Sequence, residues 1–352
     1  MTRNRPSRYD YLISAMTRIA ATQPARNDDA TLLDEAASTM AELRSALGRV
    51  IVGQDATVQA LLAAVLAEGH CLIVGVPGLA KTLLVRTLAQ ALGWRFKRIQ
   101  FTPDMMPADV IGTEVLQEDR AGGMRTMRFA PGPIFANFIL ADEINRTPPK
   151  TQSALLEAMQ EYTVTTMGRT HALERPFLVA ATQNPIEHEG TYPLPEAQLD
   201  RFMLSLWMDY PSRAEEERIV AAAGAPEEAI EPVLSVERWR AYADLVRRVP
   251  ASGHAVQYAV SLARGTRPNE AEASEWVKRY VQWGVGPRGA QHLIVLAKAL
   301  AVLAGEPAVN AGHVRRAAPL VFRHRVLVNY QAMGDGVDAA AVVRKVVEGT
   351  TE

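Results

Sequence analysis

One cysteine in 352 residues excludes any intramolecular disulfide, so the chain must fold on its cores alone. Cys71 lies within an apolar run, where its expected role is filling a buried strand, and a reducing, cytoplasmic setting suits such usage. No apolar stretch approaches the roughly 20 residues that cross a bilayer, and no membrane span is expected. The N-terminal segment carries Arg3, Arg5, Arg8 and Arg18 without an uninterrupted apolar region, so a secretory signal is not expected either. Charge of one sign is also lacking. Lys+Arg 38 against Asp+Glu 39 gives a net charge of -1, and aromatics are only 6%, which argues against nucleic acid as a partner. A chain of this length suits about two domains.

The run Cys71 to Val74 reads as a buried strand. Gly75-Val76-Pro77-Gly78-Leu79-Ala80 follows as a turn, and Lys81-Thr82-Leu83 opens a stretch with Leu84, Leu88 and Leu92 at helical spacing. Strand, glycine loop and helix are the parts of a P-loop. Its backbone N–H groups cradle phosphates at a helix N-terminus, Lys81 reaches the β- and γ-phosphates, and the Thr82 hydroxyl holds Mg²⁺. The full signature places Gly before the Lys, where this chain has Ala80. Alanine is a good helix former and is tolerated there if the position has helical rather than left-handed dihedrals. The plain alternative is a helix-opening turn with a solvated lysine.

A second apolar run, Phe138 to Ala141, ends in Asp142-Glu143. In an open parallel sheet the ligand lies beyond the carboxyl ends of the strands, so Asp142 is a candidate Mg²⁺ ligand and Glu143 a candidate for orienting attacking water. The strand Phe177 to Ala181 ends in Thr182-Gln183-Asn184-Pro185, which brings Asn184 to the same edge; its alternative is a turn-forming Asn-Pro. Arg201 stands before a further strand, Met203 to Met208, either as an ordinary loop arginine or as an arginine finger. Thr113 to Phe129 and Thr163 to Leu173 read as two inserted β-hairpins. Beyond Ser212 the pattern changes to helices without strands, among them Glu270 to Gln282, Arg288 to Leu303 and Ala311 to Arg325. Arg288 opens its helix against the macrodipole, so an incoming anion explains it better than helix stability does. Arg315, Arg316, Arg323, Arg325, His313 and His324 form a basic cluster expected on a solvated or inter-subunit face.

Ile51-Val52-Gly53-Gln54, Gly75 to Thr82, Asp142 to Arg146 with Pro149-Lys150-Thr151-Gln152, Ala181 to Pro185, and Glu196 to Phe202 together resemble the AAA+ ATPases, and among them the MoxR family. The resemblance spans roughly Leu32 to Tyr330. It implies an α/β P-loop NTPase, with a parallel sheet flanked by helices and two inserted hairpins, followed by an all-α lid. The expected divisions are an arm over 1–30, a nucleotide-binding domain over 31–211 and a lid over 212–352. In this family alanine before the P-loop lysine is a familiar variant. Val52, Gly53 and Gln54 are implied to border adenine, Asn184 to be sensor 1, Arg201 an arginine finger for a neighbouring subunit, and Arg288 sensor 2. Arg146 is implied as a further inter-subunit sensor.

The function so implied is a ring-forming ATPase, hexameric, that uses ATP and Mg²⁺ to remodel, mature or activate a client protein with a von Willebrand factor A domain partner. The alternatives are the motor subunit of a metal-chelatase-like complex and a weakly hydrolysing, nucleotide-gated binding module.

Overall fold

The computed structural model describes residues 28–118, 125–166, 168–187, 190–224 and 229–352. Most of the expected N-terminal arm, the first hairpin's Ala121-Gly122-Gly123 tip and Met167 of the second hairpin's turn lie outside the described residues.

Helix α1 (Asp29–Val50) and helix α2 (Asp55–Leu66) lead to β1 (Cys71–Val74), whose four residues are all buried. There follow α3 (Lys81–Ala91), β2 (Phe96–Gln100), the short α4 (Pro107–Ile111), and the antiparallel pair β3 (Gly112–Glu118) and β4 (Arg125–Pro131). Next come β5 (Phe138–Asp142), α5 (Pro149–Glu161), the hairpin of β6 (Thr163–Thr166) and β7 (Arg169–Ala172), then β8 (Leu178–Gln183), α6 (Glu196–Leu199) and β9 (Leu204–Trp207). The central sheet has the order β2-β5-β8-β1-β9, and every pairing in it is parallel. Such a sheet is buried on both faces, which is why its strands are continuous apolar runs. Cys71 and Ile73 point to one core with α1, α2 and α3, while Leu72 and Val74 point to another with α5. Burial pushes the Cys71 thiol far up, so it stays protonated and inert as core filling.

Both hairpins form. They stand side by side, with Phe129 stacked on His171 at 4.0 Å between ring centroids and Arg169 3.8 Å from Glu114. Gly112 closes the first at φ 95, where a Cβ would lie 2.3 Å from the Ala130 carbonyl oxygen, so only glycine fits. Val115, Leu116 and Met127 remain exposed on it.

The C-terminal part contains α7 (Arg213–Ala221), α8 (Val236–Arg248), α9 (Gly253–Gly265), α10 (Glu275–Tyr280), β10 (Val281–Trp283), α11 (Pro287–Leu303), α12 (Ala311–Phe322), β11 (Leu327–Val328), α13 (Tyr330–Gly334) and α14 (Ala339–Gly349). The expectation of helices without strands fails at β10 and β11, which pair antiparallel. The helix expected from Glu270 to Gln282 starts only at Glu275, because Ser274 caps it by accepting from the Val277 N–H. Upstream, Glu270 and Glu272 instead grip Arg264. The expected basic cluster is also dispersed. The His313 residue is 1% exposed, and the Arg325 side chain is 3% exposed. Arg323 lies over the Trp207 ring, and Arg315 pairs with Glu352.

Helix α1 straps the two parts together. Its Asp29 pairs with Arg248 at 2.7 Å, Glu35 with Arg238 at 2.9 Å, and Thr39 shares a hydrogen bond with Tyr242. One apolar core therefore runs from α1 and α2 through one sheet face into α8, α9, α11 and α12. Among the described residues no helix is long and apolar enough to cross a membrane.

Candidate functional site

Parallel pairing fixes which strand ends meet. Val74 is level with Gln183, and Gln100 with Asp142, so the glycine loop, Asn184 and the Asp142-Glu143 pair all emerge at one edge. Gly75 N–H donates to the Gln183 carbonyl at 3.3 Å, which ties the loop to the strand that carries Asn184.

The loop forms a concave turn. Gly78 has φ 88, and Ala80 has φ 56 and ψ 25, so Ala80 is left-handed. The condition under which alanine would be tolerated is therefore not met. The Ala80 methyl is accommodated at a cost of about 1–2 kcal/mol for an L-residue in that region. Alternating handedness aims consecutive N–H groups at one point, the geometry of an anion nest, and the nest demands this dihedral whatever residue supplies it. Lys81 opens α3 and turns its ammonium back onto the Gly75 carbonyl and, at 3.0 Å, the Val76 carbonyl. Burial lowers the Lys81 pKa, while the charges of Asp142 and Glu143 pull it back up, so both acids lie within electrostatic reach of the amine.

Beside the loop, Val52, Gln54, Gly78, Leu79, Ala80 and Leu83 line an apolar cavity of about 240 Å³, closed by Met208, Pro211, Ile219 and Ala222. The expected adenine-bordering segment and the expected loop segment thus converge on one cavity. Gly53 sits behind it at φ 72, and a Cβ there would meet the Glu215 carboxylate at 2.7 Å. Glu215 is itself held in the Ser212 capping box that starts α7.

Asp142 is 7% exposed, and its charge is balanced. Arg98 Nε donates to Oδ2 at 2.9 Å and Arg98 Nη2 at 2.6 Å, while the Thr182 hydroxyl donates to Oδ1 at 2.5 Å. The same Thr182 oxygen accepts from the Glu143 N–H at 2.9 Å. Glu143 has φ 57 and ψ 49, a left-handed backbone that a non-glycine residue keeps only when its surroundings over-determine it. Its carboxylate accepts from Gln100 Nε2 at 3.0 Å and from Arg146 Nη1 at 2.9 Å. Arg98 and Gln100 escaped the sequence reading, although they alternate with the inward Ile99 on a half-buried strand, the one available signal that they share a face. Asn184 makes the Asx-type turn that was its alternative reading: its Oδ1 accepts from Ile186 N–H at 3.3 Å, and its Nδ2 donates to Glu187 at 3.4 Å.

Thr82 and Asp142 are both oxygen donors beside the nest. Mg²⁺ keeps several waters and takes one or two protein oxygens plus phosphate oxygens, so this sparse donor set fits a nucleotide-borne Mg²⁺. It would not make a cage for a free metal ion, and no cluster of three or more acidic, histidine or cysteine ligands occurs among the described residues.

Arg201 and Arg288 are elsewhere. Both line a hollow of about 350 Å³ with Glu68, Gly69, His70, Gln160, Met203 and His292. Gly69 and His70 precede β1, so this hollow lies at the amino end of the strand whose carboxyl end carries the P-loop. The four residues of β1, at about 3.3 Å each, separate the two ends. No side chain among the described residues pairs with the Arg201 guanidinium, while Arg288 Nη1 lies 3.3 Å from Asp200. His70 is fully buried there, takes the Val179 N–H on Nδ1 at 3.0 Å and bonds the Met159 carbonyl through Nε2. Burial lowers its pKa to about 4, so it is neutral near pH 7.

Comparisons with known proteins agree with this geometry. The sequence model of the ATPase family associated with various cellular activities (AAA) matches residues 70–204, and that of the AAA lid domain matches residues 273–346. The chain is 44% identical over 306 residues to Chaperone MoxR1 of Mycobacterium tuberculosis, covering 85% of this chain and 78% of that protein. It is 32% identical over 308 residues to Protein MoxR of Paracoccus denitrificans, covering 82% and 88% respectively. A crystal structure of a putative ATPase from Cytophaga hutchinsonii superposes with a TM-score of 0.83 at 34% identity, over 97% of this chain and 98% of that one. The parallel sheet and the helical lid thus belong to a shared architecture, and this chain is a member of the MoxR family of AAA+ ATPases, enzymes that bind and hydrolyse ATP.

Proposed function

We propose that this chain works as one subunit of a closed ring, hexameric, in which each ATP is hydrolysed between two copies. One observation carries this reading: the P-loop and its acids occupy one edge of the sheet, while Arg201, whose guanidinium has no side-chain partner among the described residues, stands at the other. A single copy cannot bring them together, but head-to-tail copies in a closed ring can.

In the bound state adenine fills the cavity beside Val52, Gly53 and Gln54, and the phosphates lie on the N–H groups of Gly75 to Thr82. Lys81 leaves its own loop carbonyls for the β- and γ-phosphates. Thr82 and Asp142 would hold Mg²⁺, which when bound would supply neutralisation of the phosphate charge. Glu143, released from Gln100 and Arg146, orients a water for in-line attack on the γ-phosphorus and receives its proton as the bond to the bridging oxygen breaks. Asn184 leaves its turn to hydrogen-bond that water or the γ-phosphate. Arg201 and Arg288 of a neighbouring copy meet the negative charge that spreads over the γ-phosphoryl oxygens. Arg146, already between Glu143 and Glu187, reports on the same interface.

The cycle drives the two hairpins, and exposed Val115, Leu116 and Met127 on the first offer an apolar grip on a client protein. Maturation or activation of such a client, with a von Willebrand factor A domain protein as partner, is the biological reading; MoxR1, the relative from Mycobacterium tuberculosis, bears the name chaperone. The test is complementation. Arg201→Ala and Lys81→Ala subunits, each inactive alone, should regain activity when co-assembled, because some interfaces then join an intact pocket to an intact finger. Absence of recovery in verified mixed assemblies rules out the shared site.

A further inference from the structure

The residue that fixes Arg201 is not near it in sequence. Arg325 follows α12 in the lid, and its side chain is 3% exposed. Its Nε donates to Asp200 Oδ1 at 2.8 Å. Its Nη2 donates to the Asp200 carbonyl at 3.2 Å and the Phe202 carbonyl at 2.6 Å, and its Nη1 to the Met203 carbonyl at 3.2 Å. Nη1 also donates to the Val321 carbonyl, and two ring nitrogens crowd the fork at 2.7 Å, His292 Nδ1 beside Nη2 and His324 Nε2 beside Nη1, so its five N–H groups have acceptors on every side. One guanidinium therefore grips the residue before Arg201 and the two residues after it, and leaves the Arg201 side chain unclaimed.

Asp200 is shared. Its second oxygen faces Arg288 at the start of α11, so two lid cations hold the carboxylate next to Arg201. Phe202 is wholly buried in the core below the sheet and anchors the far side of the loop. Burying a guanidinium costs free energy unless every donor is met, and an apolar side chain would fill the space with less risk. What a planar five-donor fork supplies instead is one fixed orientation for the segment that it holds.

Resting on the reading of Arg201 as a finger for the neighbouring copy, we propose that Arg325 is its positioning residue: through Asp200 and the Phe202 and Met203 carbonyls it holds the Arg201 loop rigidly to the lid. Lid and finger then move as one body. A shift of the lid in one copy displaces the finger in the next copy's site, which couples successive sites without any other contact.

The test uses full-length protein and the complementation classes already defined. Arg325→Ala should bind a fluorescent ATP analogue in its own pocket within about twofold of the parent, while ATP turnover of the assembly falls at least tenfold. Co-assembled with Lys81→Ala it should regain turnover; co-assembled with Arg201→Ala it should not, because both lack a working finger. A merely structural arginine gives a different pattern: loss of nucleotide binding in its own pocket, or recovery with Arg201→Ala, and either result overturns the proposal. Where Arg325→Ala fails to fold, Asp200→Asn, which keeps the backbone acceptors and removes the charge, must fall in the same class as Arg201→Ala. The Arg201→Ala and Lys81→Ala pair is the control. If that pair fails to recover, the shared site falls and this proposal with it; if it recovers while Arg325→Ala does not join the finger class, only the positioning role falls.

Discussion

The two edges of the central sheet hold what we propose are opposite halves of one reaction centre, and they hold them in opposite states. At the carboxyl edge the lysine and the two acids are already engaged: Lys81 with its own loop carbonyls, Asp142 with Arg98 and Thr182, Glu143 with Gln100 and Arg146. At the amino edge the backbone around Arg201 is pinned from several sides, and the guanidinium itself has no partner among the described residues. The difference teaches where each half expects its counterpart. Groups that meet ATP within the chain can be neutralised locally and released on binding. A group that meets it across an interface must stay extended, so its loop carries the rigidity.

Substitutions that remove one half test this contrast most severely. Arg201→Ala should lower turnover of the assembled protein by about 10³-fold or more and leave nucleotide binding by the isolated subunit unchanged. Equal losses of binding and turnover would place Arg201 in its own pocket instead. At the other edge, Glu143→Gln should cut turnover by about 10²- to 10⁴-fold while ATP remains bound, read by single-turnover hydrolysis beside equilibrium binding.

Acid should weaken the amino edge. His70, His292 and His324 all titrate below their usual 6.5 because burial penalises their charged forms, with His70 near about 4 and His292 near about 3. The unfolded chain therefore takes up protons below about pH 6.5 that the native chain refuses, and stability falls as pH drops from about 6.5 towards 4. Each histidine contributes a slope of up to about 1.4 kcal/mol per pH unit. Thermal unfolding at pH 7.5 and 5.5 checks this, and the fall should shrink when His70 is replaced by Gln.

The smallest effect is expected within the nest. Ala80→Gly relieves a left-handed alanine but adds freedom to the unfolded chain, so the two terms nearly cancel and stability should rise by no more than about 1 kcal/mol. Chemical denaturation with and without nucleotide measures it. A loss above that value would mean that the Ala80 methyl makes a contact worth more than the strain.

Much of the fold was readable because parallel strands buried on two faces leave unbroken apolar runs, and Cys71–Val74, Phe138–Asp142 and Leu178–Gln183 are such runs. The two hairpins were readable from alternation around glycine turns. The β10 and β11 pair was not, because Val281–Trp283 and Leu327–Val328 are too short to show a period and pair across a separation that no local pattern reports. The reading of the C-terminal basic cluster failed for a related reason. Charge in sequence suggests solvent, yet Arg325 is buried by partners brought from elsewhere, and His313 is buried while its ring serves the Asn310 cap of its own helix.

By itself, the sequence determined the strand, glycine loop and helix that we propose hold the nucleotide, since a phosphate nest at the end of a buried strand is local chemistry that a dozen consecutive residues carry. Only the tertiary structure decided that Ala80 is left-handed, that Arg98 and Gln100 hold the two acids, and that Arg201 and Arg288 stand together at the far edge under the grip of Arg325. Those facts depend on strand register and lid docking, which bring together side chains more than 100 residues apart in the chain, such as Arg325 and Asp200.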